Sequence, residues 1–486
     1  MLSNGKHVHS RRQSAIKTLS AVPVAWLLLA MMAGIFSPAG AAEQAGISIE
    51  TTVASLLPRD AVWKLVVVNL ASDKELVRIG CAKTEPLVPG SLVKLITTGA
   101  LLDQVAGKGK LDMRTTLSHD GMIRGNELQG NLYFTGRGNA MLAPDDLRTM
   151  TSELYRKGIR KIAGDIVVDD AFLDARGLEW KREGAAYAPA GALGLDLHTV
   201  AITVSPATTG KPPAVKVEPL NDAVRLAVEA RTVETDANTV QINQLDDLSF
   251  RITGNIPLGA APGRKRFPLR DPAIYGGGTL RTLLRERNID LTGEVRMGQK
   301  PSKATKLAEI PSPDLAVLLR DMNVNSLNVV ADNLLLLVGQ ERFSTPGTRE
   351  KGVRVVREFL ASLGLPTDGV QIADGSGLSE ENRVTAEFMA AYLRKVAQKP
   401  WFPQFYETLP RAGMDGTVRE IGFADERFRV KTGILPDAFG LAGYGVDGSG
   451  RKIAFAFLVN HPGITGLDMK RAGAEVMKLL AKEVSQ

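Results

Sequence analysis

Cysteine, histidine and aromatic residues are all scarce in this sequence, and each shortage removes a class of function. One cysteine, Cys81, occurs in 486 residues, so no disulfide can form within the chain. Cys81 closes a strand-like run from Glu75 and reads as a buried, inert thiol rather than a nucleophile. Of five histidines, His7 and His9 lie near the start, and His119, His198 and His461 are far apart. No H-x-x-x-H or C-x-x-C spacing is present, so neither a metal site nor a cofactor is expected. A Ser-His-Asp arrangement would lack its G-x-S-x-G elbow. Aromatics make up 5% of the chain, too few to supply stacking platforms. The formal charge is +7, but Lys6, Arg11, Arg12 and Lys17 fall in an acid-free stretch of 42 residues, which leaves +3 for the remainder. No strong basic field survives, and a nucleic-acid partner is not expected.

What is present is ordinary for a folded chain: 44% hydrophobic and 23% charged residues, enough for several cores. The one long apolar run, Ala21–Phe36, follows a basic start and precedes Ser37, Pro38 and Ala39-Gly40-Ala41-Ala42. This is the pattern of a secretory signal peptide over residues 1–42, cut after Ala41 or Ala42. The run is short for a membrane span, which needs roughly 20 apolar residues. An exported, periplasmic protein with at most peripheral membrane contact is expected.

Beyond the leader, residues 63–81 read as a β-hairpin turning at Ala71–Lys74, and Pro89-Gly90-Ser91 opens a helix over Leu92–Val105 with an apolar stripe. From 111 to 304 short strands alternate with turn residues and helices are few. Helices return with Ser312 as cap, Pro313 in the first helical position and Asp314 in the first turn. A second helix is expected over Ser326–Val338, a third from Thr385 to Gln398, and a last one over Leu467–Val484. Strands are expected at Phe428–Gly433, Gly440–Gly445 and Lys452–Val459. Residues 43–110 and 305–486 thus share an α/β pattern, as one domain split by a β-rich insertion at 111–304 that reads as two smaller domains. The G-x-G-x-x-G match at Gly443–Gly448 falls on a strand and its hairpin turn, where no helix starts to receive a pyrophosphate.

Three short motifs carry chemistry. Ser91-Leu-Val-Lys94 is S-x-x-K at a helix start, and residues i and i+3 share a helix face, so the amine can reach the hydroxyl. Serine needs a nearby base, and lysine serves when burial or a neighbouring cation favours its neutral form. Ser326-Leu-Asn328 is S-x-N, and Lys431-Thr432-Gly433 is K-T-G on a strand. Any one of these is weak alone. Their order is that of the penicillin-recognising serine enzymes.

With these motifs and their flanks the sequence resembles the class C low-molecular-mass penicillin-binding proteins, the D-alanyl-D-alanine carboxypeptidase/endopeptidase family. Further matching stretches are Gly130–Gly138, Ala143–Leu147, Gly158–Asp165, Asp374–Ser379 with Asn382–Ala386, and Leu409–Thr417. The resemblance implies an α/β (α+β) fold of the penicillin-binding, serine β-lactamase-like transpeptidase type, split by a large β-rich insertion. It implies Ser91 as nucleophile, Lys94 as its base and Ser326 as proton relay. Asn328, Lys431, Thr432, Gly433 and Ile434 would bind substrate, with the backbone N–H groups of Ser91 and Ile434 as oxyanion hole. The implied substrates are peptidoglycan stem peptides ending in D-Ala-D-Ala, with β-lactams as inhibitors. Asp374, Ser376 and Ser379 read as a turn packed beside the site.

Two positions depart from the family pattern. Leu327 stands where Asp is common, and Ile434 where Thr or Ser can bond the substrate's terminal carboxylate. The alternatives are a serine β-lactamase, which the long insertion opposes, and a catalytically weak cell-wall-binding relative, which only these departures favour.

Overall fold

The computed structural model describes residues 49–482, apart from 83–84, 107–110, 179–180, 183–184 and 236. The expected signal peptide lies outside the described residues. Two segments of chain build one sheet. The first supplies β1 (Val62–Asn69), β2 (Glu75–Gly80) and helix α1 (Val93–Val105). The second supplies α2 (Leu315–Asn325), α3 (Asn328–Phe343), α4 (Arg349–Ser362), α5 (Ala386–Val396), β3 (Arg411–Ala412), β4 (Asp425–Leu435), β5 (Ala438–Val446), β6 (Lys452–Asn460) and α6 (Gly466–Ala481). The six strands run β2-β1-β6-β5-β4-β3, antiparallel throughout.

Both faces of this sheet are buried, which explains its apolar sequence. In β6, Ile453, Phe455, Phe457 and Val459 pack with Met469, Val476 and Leu480 of α6. Ala454, Ala456 and Leu458 point the other way, into a cluster with Leu95, Ile96, Leu334 and Phe388. A strand covered on both sides reads as a continuous apolar run rather than an alternation. Helix α1 lies within the second cluster, and Val93 through Leu102 are all buried. The expected apolar stripe is therefore a helix buried all round. Its polar members are partnered: Thr97 Oγ1 donates to Gly375 O at 2.8 Å and Thr98 Oγ1 to Lys94 O at 2.7 Å.

Other expectations shift. Asp314, not Ser312, caps α2: its carboxylate accepts from Ala316 N at 2.8 Å and Val317 N at 3.1 Å. Ser312 Oγ instead accepts from Met113 N at 2.8 Å, tying the two strands of chain that cross into the insertion. Ser326 is not helical; it sits in a left-handed conformation (φ 56°, ψ 43°) between α2 and α3, which begins at Asn328. Thr305–Ile310 pairs with Thr115–His119, so the chain leaves the inserted sheet past residue 310 rather than at 304. Cys81 is half-buried, not buried.

The insertion is β-rich, with separate clusters around Phe134, Leu147 and Leu280 and around Val200, Phe250 and Ile252. It nonetheless holds two full helices, Pro144–Arg156 and Pro272–Glu286. Gly276-Gly277-Gly278 disguises the second, since glycine weakens helix propensity. The glycines serve packing: a Cβ at Gly277 would lie 2.6 Å from Val295 Cγ1 and 2.7 Å from Val168 Cγ2.

Candidate active site

Ser91 lies in a 3₁₀ turn, Gly90–Leu92, that leads into α1. Glycines let three segments press on this turn. A Cβ at Gly433 would sit 2.2 Å from Pro89 O, and one at Gly440, its cross-strand neighbour, 2.6 Å from Leu92 Cδ1. A Cβ at Gly377 would sit 1.9 Å from Gly90 O. The glycine of K-T-G is thus a steric requirement for bringing β4 against the serine.

Lys94 is fully buried, and its Nζ donates to three acceptors: Ser91 Oγ at 2.8 Å, Asn328 Oδ1 at 2.7 Å and Ser376 O at 2.6 Å. Burial pulls its pKa down to about 8, against the opposing pull of Asp332 and then Asp374. At that value roughly a tenth of the amine is neutral at pH 7, far more than for an ordinary lysine. Lys431 is also fully buried and donates to Ser326 Oγ at 3.0 Å and to Thr432 O at 2.8 Å. Burial first, and then the neighbouring Lys94, hold its pKa well below the usual lysine range. The left-handed backbone of Ser326 turns its hydroxyl toward Lys431, while Asn328 opens the next helix facing Lys94. S-x-N therefore meets both lysines.

The edge of β4 is open beside this cluster. Val430 N donates to Pro410 O at 3.0 Å, on the side away from β5. Strand parity sends the N–H groups of Thr432 and Ile434 to the same side. The β3 pairing ends at Arg429, so among the described residues no strand covers that edge beyond it. Thr432 Oγ1 lies 3.4 Å from Thr417 Oγ1. The Ile434 side chain is 48% exposed. Leu327 caps no backbone group and packs partly buried on the helical core.

Ser91, Lys94 and Asn328 thus meet directly, and Ser326 and Lys431 join them from the facing side. Thr432 and Gly433 are buried on β4 beside them, and Ile434, next along the strand, is exposed. Sequence reasoning missed Asp332, whose Oδ1 accepts from Gly375 N at 3.0 Å. Its position four residues after Asn328 places it on the same helix face, a spacing that could have exposed it. Ser376 was read as part of a packed turn; it contributes through its carbonyl. Among the described residues, no group of three acidic, cysteine or histidine side chains could hold a metal ion.

The chain is also similar to known proteins. A D-alanyl-D-alanine carboxypeptidase from Actinomadura sp. (strain R39) is 29% identical over 490 residues, covering 95% of this chain and 89% of that protein. The D-alanyl-D-alanine carboxypeptidase DacB of Haemophilus influenzae is 27% identical over 403 residues, covering 79% of this chain and 83% of its own. The crystal structure of penicillin-binding protein 4 from Haemophilus influenzae has the same fold. It superposes with a TM-score of 0.75 at 24% identity, covering 89% of this chain and 99% of that one. A second structure of that protein, complexed with a β-lactam, gives a TM-score of 0.72 at 22% identity. The profile of the D-Ala-D-Ala carboxypeptidase 3 (S13) family matches residues 47–483, through the six-stranded domain and everything inserted in it. The chain accordingly belongs to that family of serine-type hydrolases, within the class C low-molecular-mass penicillin-binding proteins.

Proposed function

We propose that Ser91 is the nucleophile of a D-Ala-D-Ala carboxypeptidase that also has endopeptidase activity, acting on peptidoglycan stem peptides and their cross-links. The observation that carries this reading is the Lys94 amine, buried and 2.8 Å from Ser91 Oγ. Neutral Lys94 takes the hydroxyl proton as Ser91 Oγ attacks the carbonyl carbon of the penultimate D-alanine. The backbone N–H groups of Ser91 and Ile434 receive the developing oxyanion, each such donor being worth roughly 3–4 kcal/mol in the transition state. The amide C–N bond then breaks. The proton passes through Ser326, bonded to Lys431, to the leaving amine. Water cleaves the resulting ester with Lys94 again as base, which frees Ser91.

Asn328 holds the substrate amide and Lys94 together. Lys431, with Thr432, supplies positive charge and a hydroxyl near the terminal carboxylate. The open edge of β4 offers backbone pairing to extended substrate. β-Lactams acylate the same serine. Export through a signal peptide cut near Ala41–Ala42, to the periplasm, brings the enzyme to this substrate, and no helix among the described residues is long and apolar enough to cross a membrane.

Digestion of purified monomeric and cross-linked muropeptides by the mature protein tests the reading. Release of terminal D-alanine and loss of cross-links are expected. Rapid benzylpenicillin hydrolysis without peptide cleavage would identify a β-lactamase instead, and neither activity would identify a wall-binding protein.

A further inference from the structure

The turn at 374–379 is wedged into the site. On one side, a Cβ at Gly375 would lie 2.3 Å from Ala331 O of α3. On the other, Gly377 is in van der Waals contact with the nucleophile's turn, where a Cβ would meet Gly90 O. Asp374 is fully buried at its base, and its carboxylate organises the turn. It accepts from Gly377 N at 2.7 Å, Ser379 N at 2.7 Å and Asn382 Nδ2 at 2.9 Å, with Ser376 Oγ at 3.4 Å. Asp332, from α3, holds the adjoining Gly375 N. The product of this scaffolding is one carbonyl, Ser376 O, aimed at Lys94 Nζ.

That carbonyl matters because of what a base must do with its lone pair. A charged lysine has three N–H donors and no acceptor. All three are matched here, by Ser91 Oγ, Asn328 Oδ1 and Ser376 O. When the amine loses a proton, two donors and one lone pair remain. Asn328 Oδ1 and Ser376 O can only accept, so they retain the two N–H groups. The lone pair is then left facing the Ser91 hydroxyl, the one partner with a proton to give. We infer that Asp374 is a positioning residue for Lys94: it fixes Ser376 O so that the neutral amine points its lone pair at Ser91.

The charged groups facing Lys94 are Asp332, Asp374 and Lys431. Both acids favour the ammonium and oppose burial. Removing either negative charge therefore makes Lys94 easier to deprotonate. A base works in its neutral form, so acylation rises with pH through the Lys94 transition, and loss of an acid moves that rise to lower pH.

This inference rests on the assignment of Ser91 and Lys94 above. The experiment measures acylation by a fluorescent penicillin, by stopped flow, between about pH 6 and 10, a span that brackets the lowered Lys94 pKa of about 8. Asp374→Asn must turn an amide N–H toward one of the backbone donors, so its plateau rate should fall by about tenfold or more, the equivalent of one bond to a charged group. Its midpoint should move to lower pH. Asp332→Asn keeps an oxygen for Gly375 N and should lower the midpoint with a smaller plateau loss. Wild-type rate in Asp374→Asn, or a reduced rate with unmoved midpoints in both variants, would overturn the inference; the latter would reduce Asp374 to a structural role. If Asp374→Asn fails to fold, an unmoved midpoint in Asp332→Asn overturns it alone. Acylation that persists in Ser91→Ala or Lys94→Arg would instead refute the assignment on which it rests.

Discussion

Replacing Ile434 by threonine should make this enzyme faster on peptides that end in a free carboxylate. The side chain sits at the cleft rim with 48% of its surface exposed, so the exchange opens no cavity. Thr432, two residues earlier on the same strand face, is buried and engaged with Thr417. Lys431 is buried beneath the strand and bonded to Ser326. A hydroxyl at 434 would therefore add an exposed donor beside the buried hydroxyl of Thr432. A hydrogen bond to a charged group is worth about 1.5–3 kcal/mol. At roughly 1.4 kcal/mol per tenfold, kcat/KM should rise on the order of ten- to a hundredfold, with Lys431 drawing the gain toward the lower figure. Ile434→Val is the control, because valine has the shape of threonine without its hydroxyl. Steady-state release of D-alanine from a pentapeptide ending in D-Ala-D-Ala gives the comparison. Equal values for the threonine and valine variants, or a threonine value at or below wild type, would refute the reasoning.

Three further outcomes are expected. Lys94→Arg should abolish benzylpenicillin acylation, because arginine stays charged in proteins; near-normal acylation would move the base to Ser326 with Lys431. Gly433→Ala puts a methyl group 2.2 Å from Pro89 O and 2.9 Å from Ser91 N. Displacing the strand should cost about a hundredfold in acylation rate, the scale of a 1 Å misplacement, in protein whose circular dichroism is unchanged; a near wild-type rate would show that the close approach is unimportant. Asn333→Ala strips Gly191 N, Gly138 O and Gly191 O of their partner. An unsatisfied buried group costs about 1–3 kcal/mol, so the denaturant midpoint should fall, and an unchanged midpoint would contradict this link between α3 and the insertion.

The sequence made the peptidase half of this molecule readable because its patterns are local. The hairpin β1–β2, the Thr385 cap on α5 and the alternation-free run of β6 all follow from residues adjacent in the chain. The three motifs survived because each spans four residues or fewer, and the order of all three carries the signal. Tertiary effects hid the rest. Glycines at 276–278 read as helix breakers until the neighbouring Val295 and Val168 explain them. The crossing out of the insertion depends on Thr305–Ile310 pairing with strand residues nearly two hundred positions earlier. Ser376 could not be recognised as a partner of Lys94, since a backbone carbonyl has no residue signature. Asn333 likewise acts on backbone atoms of the insertion, and nothing in its own neighbourhood marks it.

The central claim is that a buried Lys94 activates Ser91, and one mass measurement tests it most directly. Mature protein incubated with benzylpenicillin should gain the mass of a single penicilloyl group, and peptide mapping should place it on the peptide containing Ser91. The same incubation of Ser91→Ala should leave the mass unchanged. An adduct on another residue, or one that persists in Ser91→Ala, would contradict the account.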